Sequence, residues 1–304
     1  MSEAVQRAML ALSDLQSDGG MLNPEQNDTF IRLLIDQPTM INQVRAVPMA
    51  GPSMELNKIG FGSRILRAAR QATSGDGRAL TEAERSKPTT SKVQLDTKEV
   101  IAEIRLPYEV LEDNIERGDL ENTILALIAE RAALDLEELI ISGDTAAVGD
   151  DYLALTDGVL KLATDNVVDA ASAGVSATLF NNMLKALPTR FRRNRAAMSF
   201  FVAPDVEQDY RLALSSRGTA LGDDLLTGNR AVPVFGVPLR GAALMPAANM
   251  IFTDPQNIIF GIQRAVRIES ERMISDREVK IVLTARVAIQ IEETLAMAKL
   301  INLG

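Results

Sequence analysis

The chain has no cysteine, no histidine and no tryptophan among its 304 residues. Without cysteine there are no disulfides, thiolate nucleophiles or cysteine metal sites, which fits a reducing compartment. Without histidine the commonest general base and metal ligand is missing, and Ser-His-Asp and Cys-His mechanisms are excluded. No Gly-Lys dipeptide occurs, so there is no Walker A loop. Gly60-x-Gly62 and Gly75-x-Gly77 both lack the third glycine of a dinucleotide fingerprint. No serine has a lysine three residues on. The longest central apolar run, ILALIA at 124–129, is too short to span a bilayer. The first residues, MSEAVQRAMLALSDLQ, lack a basic start and a signal-type apolar core. A net charge of −9 favours solubility and argues against broad nucleic-acid binding. No metal or cofactor site is read from the sequence.

What is present is scaffold. Val279, Ile281, Leu283, Ala285, Val287, Ile289 and Ile291 alternate strictly, as in a strand with one buried face. KVQLDTKEVIAEIRL, from Lys92 onward, alternates too, with Val93 and Leu95 on one face and Val100, Ala102, Ile104 and Leu106 on the other. A twist or bulge near 97–99 within one strand accounts for the change of face. Pro107 suits a first helical turn, and Asp119 after Gly118 suits the N-cap of a long helix that ends at Ser142-Gly143. Ile128, Ala132, Leu136 and Leu139 share one face of that helix, with Glu130, Arg131, Asp135, Glu137 and Glu138 expected mostly elsewhere.

Residues 3–15 and the stretch after Pro24 read as helices, and 44–56, with two prolines, as an edge strand or arm. Residues 57–92 are long, polar and poor in large apolar residues, as in a functional or disordered loop; as a two-stranded ribbon, with its tip near 74–77, it would project from the body. A helix is expected over 176–194 despite Pro188, a buried strand over 199–204, a helix over 204–216 and a glycine-containing loop over 217–230. Three further strands close the chain. Helix and strand mix without a βαβ repeat, so the fold class is α+β.

The adjacent carboxylates Glu137-Glu138, Asp150-Asp151 and Asp223-Asp224 read as solvated surface. Arg190, Arg192, Arg193 and Arg195 follow a helix, where cations complement its C-terminal dipole or contact another subunit or a phosphate. Arg64, Arg67 and Arg70, in the ribbon, suit ion pairing with an acidic neighbour or solubility alone.

This order of elements resembles the Hong Kong 97-type major capsid proteins of tailed bacteriophages, with encapsulin shell proteins as relatives. The likeness rests on the extended loop, on KVQLDTKEVIAEIRLPYEVLEDN leading into the spine helix LENTILALIAERAALDLEELIISGD, on SFFVAPDVEQDYRLAL with VFGVPLRGAALMPAANMIFTDPQNIIFGI, and on the last strands through ETLAMAKLINL. It implies an N-terminal arm at 1–53, an extended loop at 54–95, a peripheral domain of 96–143 with 276–304, and an axial domain at 144–275. It further implies a non-enzymatic subunit of an icosahedral shell, built through hexamers and pentamers around double-stranded DNA. The expected setting is the virion, assembled in the host cytoplasm. Expected partners are copies of the chain, a separate scaffolding protein, a portal, and packaged DNA by weak non-specific contact, with no membrane. Candidate subunit-contact residues are Lys58, Arg64, Arg67, Arg70, Lys87, Lys92, Arg190, Arg192, Arg193, Asp223, Asp224 and Arg230. An encapsulin-like compartment shell and an enzyme of unknown type are the alternatives.

Overall fold

A computed structural model describes residues 39–60, 65–66, 85, 87–112, 120–215 and 233–304. The expected helices before residue 38, the ribbon tip, the Gly118-Asp119 helix start and the 217–230 loop lie outside the described residues.

Two sheets and a ribbon organise the chain. The first sheet has four strands, β1 (Arg45–Pro48), β4 (Lys98–Pro107), β10 (Ile258–Met273) and β11 (Glu278–Ile291), in the order β1-β10-β11-β4. β1 runs parallel to β10 at the edge, where prolines are tolerated, and the other pairs are antiparallel. All seven alternating residues of β11 are buried, as their spacing predicts. The long helix α2 (Leu120–Ser142; the short α1 is Tyr108–Glu112) covers that face. Ile128 joins Leu106, Val279, Ile281 and Leu283 in one apolar cluster, with Ala132 at its margin. Leu136 and Leu139 join Ala285 and Val287 in the main core. Each fully buried aliphatic side chain here contributes about 1.5–3 kcal/mol of transfer free energy.

The helix exit depends on two glycines. A Cβ on Gly143 would lie 2.7 Å from the carbonyl O of Leu139 and closer still to that of Thr156, and one on Gly158 would lie 2.6 Å from the amide N of Gly143. The amide of Gly158 donates to the carbonyl of Gly143 at 2.8 Å. No side chain fits between these backbones, so the chain leaves the helix through a contact only glycine permits.

The second sheet has six strands: β5 (Val167–Asp169), β6 (Ser199–Val202), β7 (Pro233–Val234), β8 (Val237–Gly241), β9 (Met250–Thr253) and β12 (Ala298–Ile301), ordered β5-β12-β9-β6-β8-β7. β6 and β9 are buried along their whole length, which is why they read as continuous apolar runs rather than alternating ones. Helices α4 (Ala177–Ala186) and α5 (Pro204–Ser215) contribute Phe180 and Tyr210 to this core; the one-turn helix α3 is Val159–Leu162. Phe180 meets Phe200 and Tyr210 edge-on, each at 5.0 Å between ring centres, and Phe200 stacks on Phe252 at 4.5 Å.

Several expectations change. Residues 93–106 are not one bulged strand. β3 (Thr89–Asp96) pairs only with β2 (Ser53–Gly60), and the chain passes at Thr97 into β4 of the other sheet. Thr97 is fixed there by its amide, 2.8 Å from the carbonyl of Pro52, and by its hydroxyl, 3.0 Å from Gln263 Oε1. Pro107 closes β4 rather than opening a helix. α4 ends at Ala186 and does not run through Pro188, whose ring and missing N–H oppose continuation. Residues 191–193 form a separate single 3₁₀ turn. β12, expected beside the spine helix, lies in the six-stranded sheet, and β10, expected in the other unit, pairs with β11. The expected boundary at 276 therefore falls inside the β10–β11 hairpin.

Candidate subunit-contact surfaces

The ribbon is the first candidate. β2 and β3 pair antiparallel from Ser53 opposite Asp96 to Gly60 opposite Thr89. Only the end nearest the body is buried. Leu95, 1% exposed, packs with Met49, Ile259 and Ala288 on the sheet face opposite α2, while Ile59 at the far end is 74% exposed. The side chains thus grade from core to solvent along the ribbon, as in an element that leaves the body.

Its lysines have distinct surroundings. Lys58 donates to the carbonyl O of Glu292 and forms an ion pair with Glu293 at 3.4 Å. Lys92 pairs with Glu55 across the ribbon at 2.6 Å, with both side chains at least half exposed. Lys87 is exposed where the ribbon returns. Lys58 and Lys92 are therefore already engaged within their own subunit. Arg64, Arg67 and Arg70 lie outside the described residues, as do Asp223, Asp224 and Arg230.

The basic turn is the second. Arg190 stacks its guanidinium 4.5 Å over the Phe191 ring. Arg192 donates from Nη2 to Thr189 Oγ1 at 3.1 Å, and Arg193 and Arg195 are exposed. Because the helix ends before Pro188, these cations do not cap its dipole. Phe191 lines a cleft of about 300 Å³ with Asn194, Met198, Asp254, Gln256, Asn257, Glu292 and Glu293. The structure thus brings the Phe191 turn and the Lys58 anchor to one cleft through Glu292 and Glu293. Asn257 braces that cleft, donating from Nδ2 to the carbonyl of Glu293 at 3.0 Å and accepting from its amide at 2.9 Å.

A third surface is the charged face of the four-stranded sheet. Glu99 accepts from Arg286 and from Arg264, and these hydrogen bonds hold its carboxyl below the ordinary glutamate range. Glu103 is lowered in the same way by Lys280 at 3.0 Å and Arg105 at 2.9 Å. All are solvated, and exposed pairs of this kind contribute little to stability because water and salt screen them.

Glu137 was expected on a solvated face and is 1% exposed. It sits between buried Leu136 and Leu139, and its carboxylate faces protein. Oε2 accepts from two consecutive amides, Met40 at 2.9 Å and Ile41 at 3.2 Å. Thr39 Oγ1 lies 3.4 Å from Oε1 and donates to the carbonyl of Gly241 at 3.0 Å. Hydrogen bonds to a charged acceptor contribute about 1.5–3 kcal/mol each, and at this buried site they are screened less than the surface pairs are. The clue in the sequence was a second apolar stripe, since Leu134, Ile140 and Ile141, three or four residues away on the helix, flank Glu137 and are buried.

Among the described residues no cluster of histidine, cysteine, aspartate or glutamate is placed to hold a metal, and no helix is long and apolar enough to cross a membrane.

A spine helix across one sheet, a second sheet built round buried aromatics and a ribbon whose buried side chains lie at its base define a Hong Kong 97-type shell fold. Residues 18–301 match the phage capsid family, and the chain belongs to it. It is 41% identical over 312 residues to YqbE of Bacillus subtilis (strain 168), designated a prophage capsid protein, covering 99% of this chain and 98% of the relative. The fold is shared with the capsid subunit of the native GTA particle, at a TM-score of 0.69 and 20% identity over 97% of this chain and 100% of that one. It is also shared with a chain of Microbacterium phage Oxtober96, at 0.64 and 14% identity over 96% and 98%. A satellite phage P4 procapsid that includes the size determination (Sid) protein gives 0.55 and 16% over 87% and 95%. The chain is thus a structural capsid protein, and nothing in these likenesses favours a compartment shell or an enzyme.

Proposed function

We propose that the chain is the repeating subunit of an icosahedral head, assembled through hexamers and pentamers around double-stranded DNA in the host cytoplasm. The observation that carries the reading is the match to the capsid family over 18–301, joined to a ribbon on which Ile59, at the outer end of the paired strands, is exposed. In this reading the ribbon, 54–95, reaches over a neighbouring subunit. The peripheral unit is α2 with the four-stranded sheet, including β10. The axial unit is the six-stranded sheet with α4, α5 and β12.

Arg64, Arg67, Arg70 and Lys87 are the ribbon's contact cations, and Arg190, Arg192 and Arg193 present a basic turn to a neighbour or to DNA phosphates. Lys58 and Lys92 serve by shaping the ribbon. Asp223, Asp224 and Arg230 meet their symmetry mates at the capsomer axis. A scaffolding protein and a portal complete the assembly. The P4 procapsid, a related fold that carries the Sid protein, supports the scaffold part of the reading. Co-expression with the neighbouring genes of its source tests it. Closed shells of uniform size support the scheme, and irregular sheets in the presence of every candidate scaffold overturn it.

A further inference from the structure

Glu137 makes an attachment that the capsid reading does not require. The backbone donors of Met40 and Ile41 both end on one carboxylate oxygen of the spine helix, at 2.9 and 3.2 Å. Successive amides converging on one anion form a small backbone nest. Other ties described for this segment are mostly local. Gln43 and Val44 donate their amides to the carbonyl of Met40 at 3.0 and 3.2 Å. Gln43 Nε2 donates to the carbonyl of Thr39 at 3.0 Å, and Gln256 Nε2 to the carbonyl of Gln43 at 3.0 Å. Thr39 reaches across to Gly241 at the end of β8. Met40 itself is fully buried in the main core. Glu137 therefore ties the segment to the spine helix, and Thr39, beside that side chain, carries the tie on to the six-stranded sheet.

We propose that Glu137 is a clasp that fixes where the N-terminal segment leaves the body, and that residues 39–44 open as a unit at lower free energy than the body unfolds. The carboxylate is a positioning residue: its acceptor oxygen sets the path of 39–41. In β1 the next residues are held independently, by the parallel ladder to β10 and by Arg45 on Glu292 at 2.8 Å. Opening of the clasp therefore stops at about Val44. Taken with the capsid reading, on which this part rests, the clasp sets how the segment is presented to neighbouring subunits, so its loss broadens the range of particle sizes.

The test is hydrogen exchange of the full-length chain in solution, read amide by amide. In the unaltered chain, Met40 and Ile41 exchange together, faster than the amides of β6 and β9. Glu137→Ala speeds Met40 and Ile41 by roughly ten- to a hundredfold, the equivalent of a lost charged hydrogen bond, while β6 and β9 keep their rates. Glu137→Gln, which keeps one acceptor oxygen without the charge, gives a smaller acceleration confined to the same amides. Exchange of Met40 and Ile41 in step with β6 and β9, before and after substitution, overturns the clasp. If Glu137→Ala does not fold, unchanged exchange in Glu137→Gln overturns it. Electron microscopy of the same variants reads the capsid part separately. Faster clasp exchange with unaltered particles retains the clasp and removes its role in shell geometry; no particles from either the variant or the unaltered chain, each co-expressed with its neighbouring genes, removes the capsid reading instead.

Discussion

Glu99 and Arg286 face each other across the β4–β11 ladder, and the guanidinium binds one carboxylate oxygen through both Nε at 3.1 Å and Nη2 at 2.8 Å. Arg264, from the next strand, takes the other oxygen. One carboxylate so links three strands. The pKa of Glu99 is lowered on folding, first by its hydrogen bond to Arg286 and then by that to Arg264. A depressed carboxylate contributes stability above its unfolded pKa of about 4.3 and loses it as pH falls through the folded value. Glu103, Asp96, Asp144 and Asp169 are shifted in the same direction. Thermal unfolding followed from about pH 7 to about pH 3 should therefore show falling stability that begins at about pH 5. Glu99→Gln should flatten part of that slope, and added salt should shrink the difference because the pairs are exposed. A slope unchanged by Glu99→Gln would place the acid-sensitive groups elsewhere.

Leu136 is 7% exposed on the face of α2 that meets β11. Leu136→Ala should cost about 2–5 kcal/mol of stability, read as a lower denaturant midpoint at unchanged slope. It also lines a cavity of about 140 Å³ ringed by Ala102, Ala132 and Ala285, so truncation enlarges an existing void. An unchanged midpoint would mean that the helix is not seated on the sheet.

Gly143→Ala should be worse than its single methyl suggests. The added Cβ meets the backbone oxygen of Leu139 at 2.7 Å and that of Thr156 closer still, and backbone cannot move aside as a flexible side chain can. Loss of soluble protein, or a fall in melting temperature larger than that of Gly174→Ala, whose Cβ would meet nothing within 4 Å, is the expected outcome. Equal effects of the two substitutions would contradict the close approach.

Much of the scaffold was legible because periodicity reports burial directly. The seven alternating residues of β11, the Ile128–Leu139 face of α2 and the buried run of β6 all lie where their patterns place them. What could not be read was which strand pairs with which. The β3–β4 stretch alternates almost continuously, yet Thr97 divides it between two sheets, because the partners at Pro52 and Gln263 are far away in sequence. β12 is four residues long and carries no mark of its sheet. Glu137 was missed for a related reason. Its charge argues for solvent, and the amides of Met40 and Ile41, 97 and 96 residues earlier, help make its burial tolerable. For the candidate contact cations, residue type and spacing could not show the intrasubunit pairing of Lys58 with Glu293 and Lys92 with Glu55.

The outer part of the ribbon can be removed without touching the core. Deleting about residues 66–88 spares the paired β2 and β3 and the buried Leu95 contact, so the product should remain folded and soluble with an unfolding midpoint near that of the full chain. Light scattering should show that it no longer forms large particles. Particles of normal size from the shortened chain would assign shell contacts to other surfaces.

The central claim, that this chain builds a closed shell from its own copies, is tested most directly by electron microscopy of the purified full-length protein, alone and co-expressed with its neighbouring genes. Closed, regular particles with pentameric and hexameric units in the averaged images are the predicted result. A protein that stays monomeric at high concentration, with every candidate scaffold present, would contradict it.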